Sequence, residues 1–347
     1  MGVVGIVSYR LGGADGVSIE AEKWAWALER LGWSVRRIAG SGPDGVQTVG
    51  GIDIVPAGEV DTAALHDALA DCDLVIVENL CSLPLNPAAG RAVADALRGR
   101  PAIMRHHDLA WQRPDTAHLG PPPDDPAWRH VTINELNRSE LAAHGIDAIC
   151  LYNRFDVDPP QGNRLATREA LGIATDERVL LQPTRAIPRK NVPGGLALAE
   201  ELGATYWLTA AAEDDFGNEL ESILTGAQVR VLRGQGPGTI HDAYGACDAV
   251  VLPSTREGFG NPAIEAATHR RPLALGRYPV AAELLATGLV AFDLEDARAL
   301  RMWLDHPDPS LLERNLEVAR THFDLADLPD EIDGVIDTLP HSARPIA

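Results

Sequence analysis

Glu257 and Glu265 lie in the stretch STREGFGNPAIEA, residues 254–266, with seven residues between them. A carboxylate accepts hydrogen bonds at two oxygens, which matches vicinal hydroxyls on a sugar or a ribose. Gly258 and Gly260, on either side of Phe259, let backbone come close to a ligand with no Cβ in the way. Pro262 suits a first helical position and Asn261 the N-cap before it, so the stretch predicts a helix whose amino end faces the loop. That end attracts anions. Glu265, one turn into the helix, could simply offset the helix dipole, whereas Glu257 in a glycine-rich loop has less structural reason to be acidic.

Other loops carry complementary chemistry. QPTRAIPRKN, residues 182–191, gathers Arg185, Arg189 and Lys190 in a chain with 50 acidic and 30 basic residues. A forked guanidinium beside a point-charge ammonium can neutralise a diphosphate, and a solvated basic turn is the plainer reading. Gly12 and Gly13 follow the first apolar run, with Ser18 as the expected N-cap of the next helix; a simple turn explains the two glycines as well. His106, His107 and Asp108 form a cluster that suggests metal, but adjacent ligands in one loop with no distant partner make a weak metal site. Gly234, Gly236 and Gly238 are spaced G-x-G-x-G and not G-x-G-x-x-G, and Asp248 opens the following run instead of closing it, so a nicotinamide fingerprint is not supported.

Behind these loops stand short apolar runs at 3–8, 34–39, 73–78, 101–105, 130–134 and 147–152, then at 178–183, 205–210, 228–232, 248–253, 272–276 and 289–293. Helical patterns separate them, such as 19–32, where Trp24, Leu28 and Leu31 repeat at helical spacing. This alternation predicts an α/β protein with two Rossmann-like, doubly wound domains facing each other across a cleft. The expected boundaries are 1–156 for the first domain, 165–318 for the second, and 319–347 for a segment packing back on the first domain. A Pro- and Gly-rich linker at 156–164 marks the break. The formal net charge of −20 opposes nucleic acid and anionic membrane partners, and no apolar run is long enough to span a bilayer. The beginning reads as a strand instead of a signal peptide, and four scattered cysteines read as buried thiols, which together predict a cytoplasmic protein.

The run of apolar strand, Pro-Ser and E-G-F-G-x-P-x-x-E-A resembles the E-x7-E signature of retaining nucleotide-sugar glycosyltransferases of the GT-B type, family 4 above all. The resemblance covers most of the chain. It implies that Glu265 holds the donor ribose, that Glu257 lies by the hydroxyls of the transferred sugar, and that the backbone of Gly258, Phe259, Gly260 and Asn261 touches sugar and phosphate. It implies that Arg185 and Lys190 bind the diphosphate and stabilise the leaving group. It further places Gly12 and Gly13 near donor phosphate and acceptor, Gly234 at the base, and a histidine by the donor sugar, for which His107 is the best match and His106 the next. The chain departs from the family where a glycine usually stands near Arg270, and where Gly-Gly usually precedes Pro279. Same-face attack assisted by the leaving phosphate is the implied mechanism, with no covalent nucleophile. Since no D-x-D-like cluster follows a strand, no metal or other cofactor is expected. The expected activity is hexosyl transfer from a UDP-glucose or GDP-mannose type donor to a small soluble acceptor, such as glycerate or a glycoside of it. The alternatives are a GT-B epimerase or hydrolase, and a non-catalytic nucleotide-sugar-binding protein. The oligomeric state is left open.

Overall fold

A computed structural model describes residues 2–13, 15–212 and 216–340. The chain divides into two units, one running to Arg154 and resuming at Leu325, the other spanning Phe155–Asp324.

The first unit alternates β1 (Val3–Arg10), α1 (Gly16–Arg30), β2 (Ser34–Ser41), β3 (Gln47–Thr48), α2 (Thr62–Leu69), β4 (Leu74–Glu78), α3 (Pro87–Leu97), β5 (Ala102–His106), β6 (Trp128–Thr132), α4 (Glu135–Ala143) and β7 (Ala148–Cys150). Its sheet has the order β3-β2-β1-β4-β5-β6-β7, with every pair parallel. Helices cover both faces, which is why the strands read as continuous apolar runs. Leu74 and Ile76 of β4 join one core with Trp24 and Leu28 of α1, whereas Val75 and Val77 join the other with Leu65 and Val93. β3, two residues long with both side chains exposed, was not foreseen because it has no apolar run to betray it.

The second unit alternates α5 (Arg164–Ala170), β8 (Val179–Gln182), α6 (Val192–Leu202), β9 (Thr205–Leu208), α7 (Gly217–Thr225), β10 (Val231–Arg233), α8 (Ile240–Ala246), β11 (Ala249–Leu252), α9 (Asn261–Thr268), β12 (Leu273–Leu275), α10 (Ala281–Ala286), β13 (Phe292–Asp293), α11 (Ala297–Asp305) and α12 (Pro309–His322). The sheet order is β10-β9-β8-β11-β12-β13, again parallel throughout. In both sheets the order reverses beside the first strand, between β1 and β4 and between β8 and β11. In open sheets of this kind ligands bind outside the carboxyl ends of the strands, at this switch.

The last described helix, α13 (Leu328–Asp337), belongs to the first unit. Leu328, Ile332, Val335 and Ile336 pack into the core that holds Trp24 and Leu28, and Glu331 pairs with Arg154. The sequence places the start of this returning segment at residue 319, but α12 continues unbroken to His322 and the units divide after Asp324. The first domain, expected to run to residue 156, ends two residues earlier at Arg154, since Phe155 is already anchored in the second unit: its N–H donates to Phe323 O at 2.8 Å. Among the described residues, no helix is long and apolar enough to cross a membrane.

Candidate active site

At the switch point of the second sheet, the loops after β8 and β11 are sewn together. Asn191 Nδ2 donates to Pro253 O at 3.1 Å, Thr255 N to Arg189 O at 2.9 Å, and Arg189 Nη1 to Arg256 O at 2.9 Å. From below, Tyr206 donates to Gln182 Oε1 at 2.6 Å, and Gln182 Nε2 donates to Lys190 O at 3.1 Å. This scaffold brings three charges together. Lys190 Nζ lies 2.5 Å from Glu257 Oε1, and Arg189 Nη1 lies 2.9 Å from Glu257 Oε2. Ser254 Oγ donates to the same carboxylate at 2.5 Å. Burial alone would raise the Glu257 carboxyl, but Lys190 and then Arg189 outweigh it and hold it below the ordinary range. Burial holds the Lys190 ammonium below the usual lysine range, and the Arg189 and Arg185 charges add to this against the pull of Glu257.

Sequence reasoning paired Lys190 with Arg185. The structure puts Arg189 on Glu257 directly, while half-buried Arg185 sits on the same loop, close enough for its charge to act on Lys190. The sign available in the sequence was the three-cation cluster itself; which cation meets Glu257 depends on strand order.

α9 begins at Asn261, and its cap is Gly260 at φ 104°, not Asn261. The reason is space as well as backbone: a Cβ on Gly260 would lie 2.1 Å from the Tyr278 hydroxyl. Tyr278 donates to Phe259 O at 3.3 Å, so the residue that stands near the missing Gly-Gly closes over the loop from behind. Phe259 is buried, packing between Phe155 and Phe323, so only its backbone is left for a ligand. Gly258 is half-buried in the same loop. The departure at Arg270 is also explained. Its φ is +51°, a conformation a glycine adopts without strain, and its guanidinium is tied to Glu313 at 2.9 Å. We expect Gly260→Ala to lower stability by about 2 kcal/mol or more through backbone strain and overlap. Adding Tyr278→Phe should recover part of that loss in thermal melts, and a wild-type melting temperature for Gly260→Ala alone would contradict this account of the loop.

Glu265 is half-buried on α9, and its Oε2 accepts from the buried Tyr244 hydroxyl at 2.6 Å. Burial, reinforced by the Glu265 charge, pushes the Tyr244 phenol well up, so it stays a donor. Burial holds His269 down to about 4, leaving it neutral. Its Nδ1–H donates to Glu265 O at 2.7 Å, its Nε2 meets His241 Nδ1 at 2.9 Å, and its ring stacks on Tyr244. The sequence marks neither Tyr244 nor His269, since both look like ordinary helix residues. Gly234 turns the chain after β10, donating to Leu208 O at 2.9 Å and accepting from Trp207 Nε1 at 2.8 Å. Asp248 ties strand to helix. It accepts from Val179 N at 2.9 Å and pairs with Arg164 and Arg168.

In the first unit, Gly12 and Gly13 follow β1 and are exposed. Gly12 has φ +75° and its position would set a Cβ 2.5 Å from Pro43, so the turn itself requires glycine there. The helix cap is Asp15, whose carboxylate accepts from Ser18 N at 3.1 Å; Ser18 lies inside α1. The two histidines part ways. His106 is 1% exposed and turns into the protein, with Nε2 at 2.8 Å from His130 Nδ1, so it is not available to a ligand as expected. Burial holds its imidazole well below the usual range, with His130 and His107 adding to the effect. His107 is held by Asn79 Oδ1, which accepts from both His107 N and Asp108 N at 3.0 Å, and its Nε2 lies 2.6 Å from Glu78 Oε2. Asp108 faces Arg113 at 3.4 Å. Among the described residues, no group of three or more His, Cys, Asp or Glu is placed to hold a metal.

Two parallel, doubly wound units of this kind make the GT-B fold. HepE from Anabaena, solved in complex with UDP-glucose, superposes with a TM-score of 0.77 over 97% of this chain and 100% of its own, at 18% identity. Residues 163–301 match the family described as glycosyl transferases group 1. It is 28% identical to the mannosylglucosylglycerate synthase of Thermotoga maritima over 94% of this chain and 98% of that protein. It is also 28% identical to the D-inositol 3-phosphate glycosyltransferase of Mycobacterium tuberculosis over 51% of this chain and 39% of that protein.

Proposed function

We propose that this chain moves a hexose from a nucleoside-diphosphate sugar to a small hydroxylated acceptor, with retention of anomeric configuration. The observation that carries this reading is the meeting of Lys190, Arg189 and Glu257 at the switch point between β8 and β11, with Arg185 in the same loop. Breaking a glycosyl–phosphate bond leaves charge on the departing diphosphate and positive character on the sugar. Fixed cations lower the barrier by stabilising the first, and each such contact is worth about 3 kcal/mol. Lys190 and Arg185 take that role, and Arg189 adds a third charge. Glu257 and His107 orient the transferred sugar, and Glu265 takes the ribose while Tyr244 keeps its carboxylate in place. The backbone of Gly258, Phe259, Gly260 and Asn261 borders sugar and phosphate, as Gly12, Gly13 and Gly234 border the donor from other loops. No residue is assigned as a covalent nucleophile: Glu257 is clamped by three donors, and Glu265 is committed to the nucleotide. The acceptor then enters on the face the diphosphate leaves.

The name of the Thermotoga relative favours a mannosyl donor and a glycoside of glycerate, glucosylglycerate, as the acceptor class. The test is to incubate the chain with GDP-mannose or UDP-glucose, with and without glucosylglycerate or glycerate. Released nucleoside diphosphate and a new α-linked product support transfer. Release without a product identifies a hydrolase, altered sugar with intact nucleotide an epimerase, and intact nucleotide sugar throughout a binding protein. Glu265→Ala is expected to weaken nucleoside diphosphate binding about tenfold, the loss of one charge-assisted contact. Calorimetry showing undiminished affinity would refute the ribose assignment.

A further inference from the structure

Behind His107 lies a buried group of charges that the reaction as described does not use. Arg105, on β5, is 1% exposed, and its guanidinium lies 3.1 Å from Glu78 Oε1 and 3.3 Å from Glu20 Oε2. It lies 4.5 Å over the ring of Trp24. Lys23 Nζ completes the set, 2.6 Å from Glu20 Oε1 and donating to Arg154 O at 2.6 Å. Burying the charges of Arg105, Glu78 and Glu20 is costly, and apolar side chains of similar volume commonly serve stability as well or better. The group meets the candidate site through Glu78 Oε2, at 2.6 Å from His107 Nε2.

That contact has a chemical consequence. Burial raises the Glu78 carboxyl, but Arg105 and then His107 overcome this and hold it below the ordinary range, so it is an ionised acceptor. An ionised carboxylate only accepts. His107 Nε2 must therefore carry a proton, and the neutral ring is the Nε2–H tautomer with a lone pair on Nδ1. Among the described residues, no group bonds to that Nδ1. The backbone holds the ring from the other side, through Asn79 Oδ1 on His107 N and Asn137 Nδ2 on His107 O.

We propose that Glu78 is a positioning residue: held by Arg105, it sets the tautomer and ring orientation of His107, so that Nδ1 is presented as a hydrogen-bond acceptor to a hydroxyl of the transferred sugar. This rests on the glycosyl-transfer reading above. Fixing a functional histidine through a carboxylate on its far nitrogen is an arrangement whose removal costs about tenfold to a hundredfold at metal sites, and a similar loss is expected here.

The test uses the full chain. In wild-type protein, long-range ¹H–¹⁵N spectra of the imidazoles, assigned with His107→Gln, should show a protonated Nε2 and an unprotonated Nδ1 for His107. Glu78→Gln should lose that bias, and should lower turnover of the nucleotide sugar about tenfold to a hundredfold. Its affinity for free nucleoside diphosphate, which lacks the sugar, should stay unchanged. The decisive comparison adds Glu78→Gln to His107→Gln: if Glu78 acts through His107, the second change costs less than about twofold. An Nδ1–H tautomer in wild type, or a full penalty for Glu78→Gln in the His107→Gln background, overturns the proposal. Should Glu78→Gln fail to fold, Glu78→Asp replaces it, and the wild-type spectrum alone still decides the tautomer. A wild-type chain that transfers no sugar defeats the functional reading instead, and leaves the tautomer result standing by itself.

Discussion

Replacing Arg185 and Lys190 together by alanine is expected to reduce sugar transfer by about a thousandfold or more, because on the proposed reading each contributes a fixed charge where the leaving diphosphate develops its own. Loss of one preorganised donor at such a centre costs about a hundredfold to a thousandfold. Lys190 is the heavier of the two. It is 8% exposed and its carbonyl is anchored through Gln182 to Tyr206, so the loop carrying its ammonium is held in place. The structure also supplies the control. Among the described residues, Lys190→Ala leaves Glu257, 9% exposed, bonded only to Arg189 and Ser254. Removing one partner of a buried pair costs about 3–5 kcal/mol when nothing compensates, so part of any rate loss could be lost folded protein. Adding Glu257→Gln to Lys190→Ala removes the stranded charge and should restore much of the melting temperature without restoring transfer. A double mutant of Arg185 and Lys190 that transfers sugar at a near-normal rate would defeat the leaving-group assignment.

Why these residues could be found without coordinates, and their partners could not, follows from what each signal depends on. A strand in a doubly covered parallel sheet is apolar along its whole length, so the runs ending near Gln182 and Leu252 announce where their loops begin. Glycines, prolines and like charges concentrated just beyond those ends are local facts, and Lys190, Glu257 and Glu265 stand in them. The pairing of Lys190 with Glu257 joins residues from two loops that are neighbours only because β8 and β11 are adjacent, and strand order is not written in either loop. His106 shows the opposite failure. Its neighbour His107 shares its local signals, but the alternation of β5 and its loop sends the His106 ring toward His130 on β6. Glu78 closes an apolar strand and reads as that strand's polar end; only the buried Arg105 beside it reveals otherwise. In the returning segment, the spacing of Leu328, Ile332, Val335 and Ile336 is a helical stripe, masked by the acidic residues and prolines around it.

Glu257→Gln should bind nucleoside diphosphate more tightly while turning over more slowly. In the structure Glu257 is the counter-ion of both Lys190 and Arg189, holding the place that a diphosphate's oxygens would take on the reading above. A diphosphate arriving there must draw the two cations away from the carboxylate and then tolerate its negative charge nearby. At about 5 Å and an effective dielectric constant near ~20, a pair of unit charges interacts by about 3 kcal/mol. Some of this is offset, because the carboxylate also keeps the ammonium and guanidinium in place and glutamine holds them less firmly. About a tenfold gain in affinity, roughly 1.4 kcal/mol, is the expected balance. Turnover moves the other way. Once the anion has taken over the cations, the released carboxylate is the group that orients the sugar hydroxyls, and an amide accepts at one atom where the carboxylate accepts at two. A loss of about a hundredfold in turnover follows, at saturating donor. Calorimetry with the nucleoside diphosphate and initial rates on the same preparation separate the two effects. If affinity and rate both fall, Glu257 is a strut for Lys190 and Arg189 and the exchange of counter-ions does not occur. If affinity rises while the rate stays normal, the exchange stands, but the sugar is oriented by another group.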